Sequence, residues 1–219
     1  MSPTLQVLSW WAAFAGSHLI LSSQPVRSRL VSRLGANAFQ AGYSLLVLGL
    51  FIPLVMTYFA NKHTGPLLWS IPPGPITLWT VYVGSALAFI LFVGGFVTPS
   101  PAMMVPGDPK PRGVLRITRH PVLMGTALWA FVHLLTNGNA TDVAFFGGFV
   151  VFVLAGTWHQ DRRKLATVPG YREFMEATPF IPFTGGGTLR GLREIAPAAA
   201  IGLVATVIVR HFHTAWFGG

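Results

Sequence analysis

Residues 121–159 read PVLMGTALWAFVHLLTNGNATDVAFFGGFVVFVLAGTWH and contain no Lys, Arg or Glu and a single Asp, Asp142. Two apolar runs, 121–137 and 141–159, are separated by Asn137-Gly138-Asn139, a strong turn signal. The stretch reads as a tight helical hairpin with no polar face to turn toward water. A helix crossing a bilayer needs about 20 mostly apolar residues, and four further runs fit that description, near 5–23, 37–60, 76–98 and 195–212. The expectation is an all-α, polytopic transmembrane helical bundle of about six helices, forming a single transmembrane domain over 1–219.

Composition agrees. Hydrophobic residues make up 52% of the chain and charged ones 10%, against about 25% charged in a soluble domain; mean hydropathy is +0.58. Such a chain cannot cover a water-facing surface. The net charge of +9 falls in short loops between apolar runs, which points to a membrane surface and not to nucleic acid. The absence of cysteine excludes disulfides, iron–sulfur clusters and thiolate ligands within the chain. The first residues, Met-Ser-Pro-Thr-Leu-Gln, lack a basic n-region, so the first apolar run is expected to remain as a helix.

The polar pieces are 24–36, 61–75, 99–120 and 160–194. With six spans, 24–36, 99–120 and 160–194 share one side and hold 13 of the 15 Lys and Arg residues; Lys62 and Arg210 are the exceptions. The positive-inside rule then puts both termini outside the cytoplasm. Within 160–178 the pattern suggests an interfacial helix broken near Pro169-Gly170, and Thr178–Phe183 a return into the interface.

Ionisable groups inside spans are costly and mark candidate sites. Histidine is the type that remains. At 1.5 Å per residue, His18 lies about 7 Å from the basic side and His133 about 18 Å, while His159 closes the fifth run at the rim. Two neutral imidazoles hold a haem iron from opposite faces; by depth His18 pairs with either of the other two. Equally, each is accounted for as a buried polar group bonded to Ser, Thr or a carbonyl. Trp129, one turn before His133, is a candidate for lining the same cavity. His63, His211 and His213 read as solvated or interfacial.

His120 sits in Arg116-Ile117-Thr118-Arg119-His120-Pro121, with Pro121 suited to a helix first turn. Arg116, Arg119 and His120 at a helix N-terminus suit an anion such as a haem propionate, a lipid phosphate or a cofactor carboxylate; a basic anchor capping the helix is the plainer alternative. Asp161 is placed to pair with an arginine across this rim; an ordinary surface pair is the plainer alternative.

Ser17-His18-Leu19-Ile20-Leu21-Ser22-Ser23 with Pro25-Val26-Arg27, the Arg116–Pro121 motif, Gly125, Trp129, His133-Leu134-Leu135, Asn137-Gly138 and His159…Asp161-Arg162-Arg163-Lys164 together resemble the NnrU family, over roughly residues 9–185. That family is similar to the zeta-carotene isomerases, membrane enzymes thought to use a b-type haem held by two histidines for cis–trans isomerisation of a polyene. The resemblance implies haem b as cofactor, one ligand at His18 and the other at His133 or His159, and a multi-pass protein of a bacterial inner membrane. Its partners would be membrane lipids and a hydrophobic polyene, with no nucleic acid and no implied oligomeric state. NnrU itself is named for an association with nitrite and nitric oxide reduction, which implies an alternative: a non-catalytic haem protein supporting denitrification. One departure stands out. The isomerases are thought to exchange a histidine ligand for a nearby cysteine, whereas here Gly156 stands one turn before His159. A second resemblance, to isoprenylcysteine and phospholipid methyltransferases, rests on Arg119-His120-Pro121, Pro169-Gly170-Tyr171-Arg172-Glu173 and Thr178-Pro179. It implies S-adenosylmethionine as cofactor, but the acidic pair of those enzymes is absent.

Overall fold

A computed structural model describes residues 1–103 and 106–217. The chain is helical: α1 (Pro3–Ser22), α2 (Gln24–Leu34), α3 (Ala36–Ala60), α4 (Pro75–Val97), a 3₁₀ turn (Gly113–Arg116), α5 (Pro121–Thr136), α6 (Ala140–Thr167), α7 (Tyr171–Ala177), α8 (Thr188–Glu194) and α9 (Ala196–Phe217). Among the described residues there is no named strand; Leu67 and Asn139 form one isolated antiparallel bridge. Every run expected to span is a helix. Four of them, α3, α4, α6 and α9, are long and apolar enough to cross a membrane. Helix α5 has 16 residues, about 24 Å of rise against a hydrocarbon core of about 30 Å. Helix α1 has the length, 20 residues, but Gln6, Ser9, Ser17, His18 and Ser22 dilute its hydropathy.

Two polar segments differ from expectation. Residues 24–36, expected as a connecting loop, hold α2, which starts with Pro25 in its first turn and ends at Gly35 (φ +83°). The left-handed region suits glycine, which carries no Cβ, and the chain turns there directly into α3. In 160–178, α6 continues to Thr167; the break at Pro169-Gly170 falls as expected, with Gly170 at φ +73°. Residues 178–183 are the segment expected to return into the interface. They fold onto the start of α5 through Arg119 N–H to Pro179 O (2.9 Å) and Phe183 N–H to Ile117 O (3.1 Å), leaving Ile181 and Phe183 half exposed.

Contacts group into two compact units, residues 1–71 with 133–159, and 72–132 with 160–219, the boundaries falling inside α5 and α6. In the first unit, Trp11 of α1 packs on Gly148 of α6, where any Cβ would strike the indole, and its Nε1–H donates to Phe145 O at 3.2 Å. Phe14 meets Phe51 of α3 at 5.3 Å and Phe152 of α6 at 5.0 Å. The predicted turn at 137–139 is present and is clasped by the loop after α3: Leu68 N–H donates to Gly138 O (2.8 Å) and Trp69 Nε1–H to Leu134 O (2.9 Å). In the second unit, α9 approaches α4 closely at Gly202, against the Ile90 backbone. Leu91, Val114, Ile117 and Ile195 form one buried cluster; Ala102, Leu115, Tyr171 and Phe174 form another.

Candidate functional site

The histidines of the first unit are placed by the register of α1 on α6. Thr4 meets Thr141 (Oγ1 to Oγ1, 3.0 Å), Trp11 meets Gly148, and Phe14 meets Phe152. The offset between partners is 137, 137 and 138, so the two helices run parallel at a nearly fixed register. His18 therefore lies level with about residue 155, and its ring meets Phe152 edge-on at 5.1 Å. His159 is four residues further along, about 6 Å at 1.5 Å per residue. His133 stacks on Phe146 at 4.7 Å, which by the same offset is level with residue 9 of α1, about 14 Å from His18.

The faces agree with the levels. On α6, Phe145, Gly148, Phe149, Phe152, Gly156 and His159 follow spacings of three and four and form one stripe. Its upper part is filled by Trp11 and Phe14. At Gly156 a Cβ would meet nothing within 4 Å, so the stripe opens into free space one turn before His159. His18, four residues on from Phe14 and seven from Trp11, falls on the same face of α1. Its Nδ1 lies 2.9 Å from the Tyr43 hydroxyl of α3. His18, His133 and His159 are all partly buried. By level, His159 lies nearer His18 than His133 does, about 6 Å against about 14 Å, and His133 stacks on Phe146.

A second polar cluster in this unit escaped sequence reading. Asp142, fully buried, accepts hydrogen bonds from Tyr58 Oη (3.0 Å), the His63 backbone N–H (3.1 Å) and His63 Nδ1 (3.1 Å). His63, expected to be solvated or interfacial, has a half-exposed ring tied to that carboxylate. Its φ of +60° is sparsely populated by non-glycine residues.

In the second unit, the Arg116–Pro121 motif forms a closed knot with Asp161. One carboxylate oxygen accepts from Arg119 Nε (2.8 Å); the other accepts from His120 Nε2 (2.8 Å) and Tyr171 Oη (2.6 Å). Arg119 also donates to Thr178 O (3.0 Å) and lies 5.0 Å from the Phe180 ring centre. Asp161 does pair with an arginine, as its position suggested, but at 4% exposure it is no surface pair. Burial, and the carboxylate to which it donates, push the Tyr171 phenol far above its ordinary range. Arg116 is likewise engaged, with Glu194 at 3.2 Å. The Gly113 N–H donating to Glu194 (2.6 Å), with Arg116 beside it, holds that carboxyl below its usual range. Arg116, Arg119 and His120 are thus all answered by carboxylates of the chain itself. Beside His120 lies a cavity of about 190 Å³, lined also by Ser100, Ala102, Pro121, Val122 and Gln160, smaller than the roughly 300–1,000 Å³ of ordinary ligand sites. Trp129 is half-buried on α5.

Among the described residues, no group of three or more His, Cys, Asp or Glu side chains is disposed to hold a metal ion; a haem needs only two axial ligands from the protein. Tyr43 and Tyr171 are the residues sequence reading missed. Tyr171 was legible only as part of a Gly-Tyr element, and Tyr43 carried no signal, because its role depends on α3 lying beside α1.

The chain is 30% identical over 197 residues to the chloroplastic 15-cis-zeta-carotene isomerase of Arabidopsis thaliana, covering 83% of this chain and 50% of that protein. It is 30% identical over 154 residues to the chloroplastic 15-cis-zeta-carotene isomerase of Zea mays, covering 64% and 41%. The chain spans half or less of the length of these curated relatives. No solved structure matches it. The family model described as NnrU protein matches residues 7–219, and the chain belongs to the NnrU family.

Proposed function

We propose that this is a membrane haem b protein whose iron is held by His18 and His159, and that it isomerises a lipid-soluble polyene. The observation that carries the reading is the register of α1 on α6: two imidazoles on parallel, packed helices, about 6 Å apart in level, beside the open space at Gly156. The residues suit the group. Tyr43 engages His18 Nδ1, which directs Nε2 to a metal, the usual role of a partner on the second ring nitrogen. Phe152 and Phe14 supply apolar walls. The apolar notch near Tyr43, about 160 Å³, is too small for a porphyrin, so the macrocycle would occupy the open space beside Gly156. A bound haem supplies a Lewis acid or one-electron partner to a double bond; the chain supplies orientation and exclusion of water. Thiolate exchange is not available to this chain, which has no cysteine.

Isomerase activity is supported by the resemblance to the two carotene isomerases, over half or less of their length. The test is direct. Haem-loaded protein in detergent is incubated with 15-cis-zeta-carotene and the isomers are separated by chromatography. Time-dependent loss of the 15-cis isomer, absent in His159→Ala, supports the reading. Haem-loaded protein that leaves the substrate unchanged points instead to the non-catalytic haem protein. The Lys and Arg bias supports an orientation with both termini away from the basic, cytoplasm-like side, in a membrane that for the named relatives is chloroplastic.

A further inference from the structure

Helix α2 brings a cluster of arginines beside an apolar notch. The notch, about 160 Å³, is lined by Leu21 at the end of α1, Leu30 and Leu34 of α2, and Phe39, Tyr43 and Leu46 of α3. It is open on one side, since Leu34 is 58% and Leu46 43% exposed. Its size is comparable to the engineered cavity of about 150 Å³ that takes a benzene-sized ligand, enough for a short stretch of hydrocarbon chain. At its edge Arg27 places its guanidinium 5.0 Å from the ring centre of Phe39. Arg27 falls on the same face of α2 as Leu30 and Leu34, three and seven residues on; Arg29 and Arg33 are exposed on the other face.

Among the described residues no acidic side chain answers these charges: no carboxylate pairs with Arg27, Arg29 or Arg33, and α2 has no acidic residue. Of the six Asp and Glu residues, Asp108, Asp142, Asp161 and Glu194 are bonded elsewhere. The helix lies at the end of α3, which is long and apolar enough to cross a membrane, where headgroups meet acyl chains. A slot with a hydrocarbon interior and an uncompensated guanidinium at its mouth complements an amphiphile with an apolar chain and an anionic head. We propose that the notch between α1, α2 and α3 binds an anionic phospholipid, its acyl chain against Leu30, Leu34 and Phe39 and its phosphate at Arg27. The site is independent of whether the chain holds haem.

The full-length protein, purified in detergent, is titrated with phosphatidylglycerol or phosphatidylcholine of identical chains and read by native mass spectrometry. One interfacial arginine is worth about fivefold in anionic-lipid binding, so phosphatidylglycerol is expected to bind at least about fivefold better. Arg27→Gln should bring the two lipids level, while Arg29→Gln and Arg33→Gln keep most of the preference. Gly42→Leu, at a notch residue where a Cβ meets nothing within 4 Å, should reduce retention of both lipids. Equal binding of the two lipids by the wild type, or equal losses in all three arginine variants, overturns the proposal. So does displacement of phosphatidylglycerol by an equal concentration of oleate, which would identify a fatty-acid site. If Arg27→Gln aggregates, Arg27→Lys and Gly42→Leu decide: preference kept in the first and lipid lost from the second supports the site, and any other pair of results refutes it.

Discussion

The knot around Asp161 and the α1–α6 face that carries His18 and His159 are built from similar residues to opposite ends. In the knot, every charged group meets its complement: the carboxylate takes donors from Arg119, His120 and Tyr171, and His120 is 3% exposed. Such a group has little chemistry to offer, because any change of charge leaves a buried partner uncompensated. On the α1–α6 face, His18 Nδ1 lies 2.9 Å from the Tyr43 hydroxyl, its ring packs near Phe14 and Phe152, and the space beside Gly156 is open. An imidazole oriented at one ring nitrogen by a hydroxyl is suited to offer the other to a metal. The histidine of the sequence motif is tied to Asp161 within the chain, and the haem proposal rests on the histidines outside the motif.

Substitutions can break or sharpen that contrast. The largest stability effect is expected at the knot: Asp161→Ala leaves Arg119 buried without its partner and should cost about 3–5 kcal/mol, read as a fall in thermal midpoint in detergent. A fall no larger than that of an exposed-site control would break the contrast. Beside His18, Tyr43→Phe should leave the midpoint near wild type and weaken haem retention by about 10–100-fold, followed by haem transfer to apomyoglobin; unchanged retention would remove Tyr43 from the site. Where α1 meets α6, Gly148→Val forces a side chain into Trp11 and should cost about 1–3 kcal/mol by overpacking, because the register that aligns the histidines depends on that contact. The smallest effect concerns Glu194, whose depressed pKa stabilises the fold above the ordinary glutamate range and is lost as pH falls through the folded value. Being largely exposed, it should contribute under about 1 kcal/mol. The midpoints of wild type and Glu194→Gln should differ at pH 7 and converge below about pH 4.

The long elements were legible because hydropathy and length are local properties. The turn at 137–139 and the break at Pro169-Gly170 came from residues whose backbone preferences need no context. Helix α2 was missed because its three arginines and short length hide an apolar face visible only against α3. The site was legible in part. His18, His133 and His159 stand out as ionisable groups in apolar runs, but choosing between His133 and His159 requires the pairing of Trp11 with Gly148 and of His133 with Phe146. The roles of Asp142, Tyr43 and Tyr171 depend on contacts 10 to 84 residues apart in sequence, to which no local pattern points. Arg119 and His120 read as an anion site because nothing in the sequence showed that Asp161 would come to both of them.

The most direct test of the haem assignment is haem content, with the reduced-minus-oxidised spectrum, of protein expressed with supplied haem and purified in detergent, alongside His18→Ala, His159→Ala and His133→Ala. The account predicts about one haem per chain, lost or spectrally altered in the first two variants and unchanged in His133→Ala. A well-folded wild type without haem, or a site lost in His133→Ala and kept in His159→Ala, would contradict it.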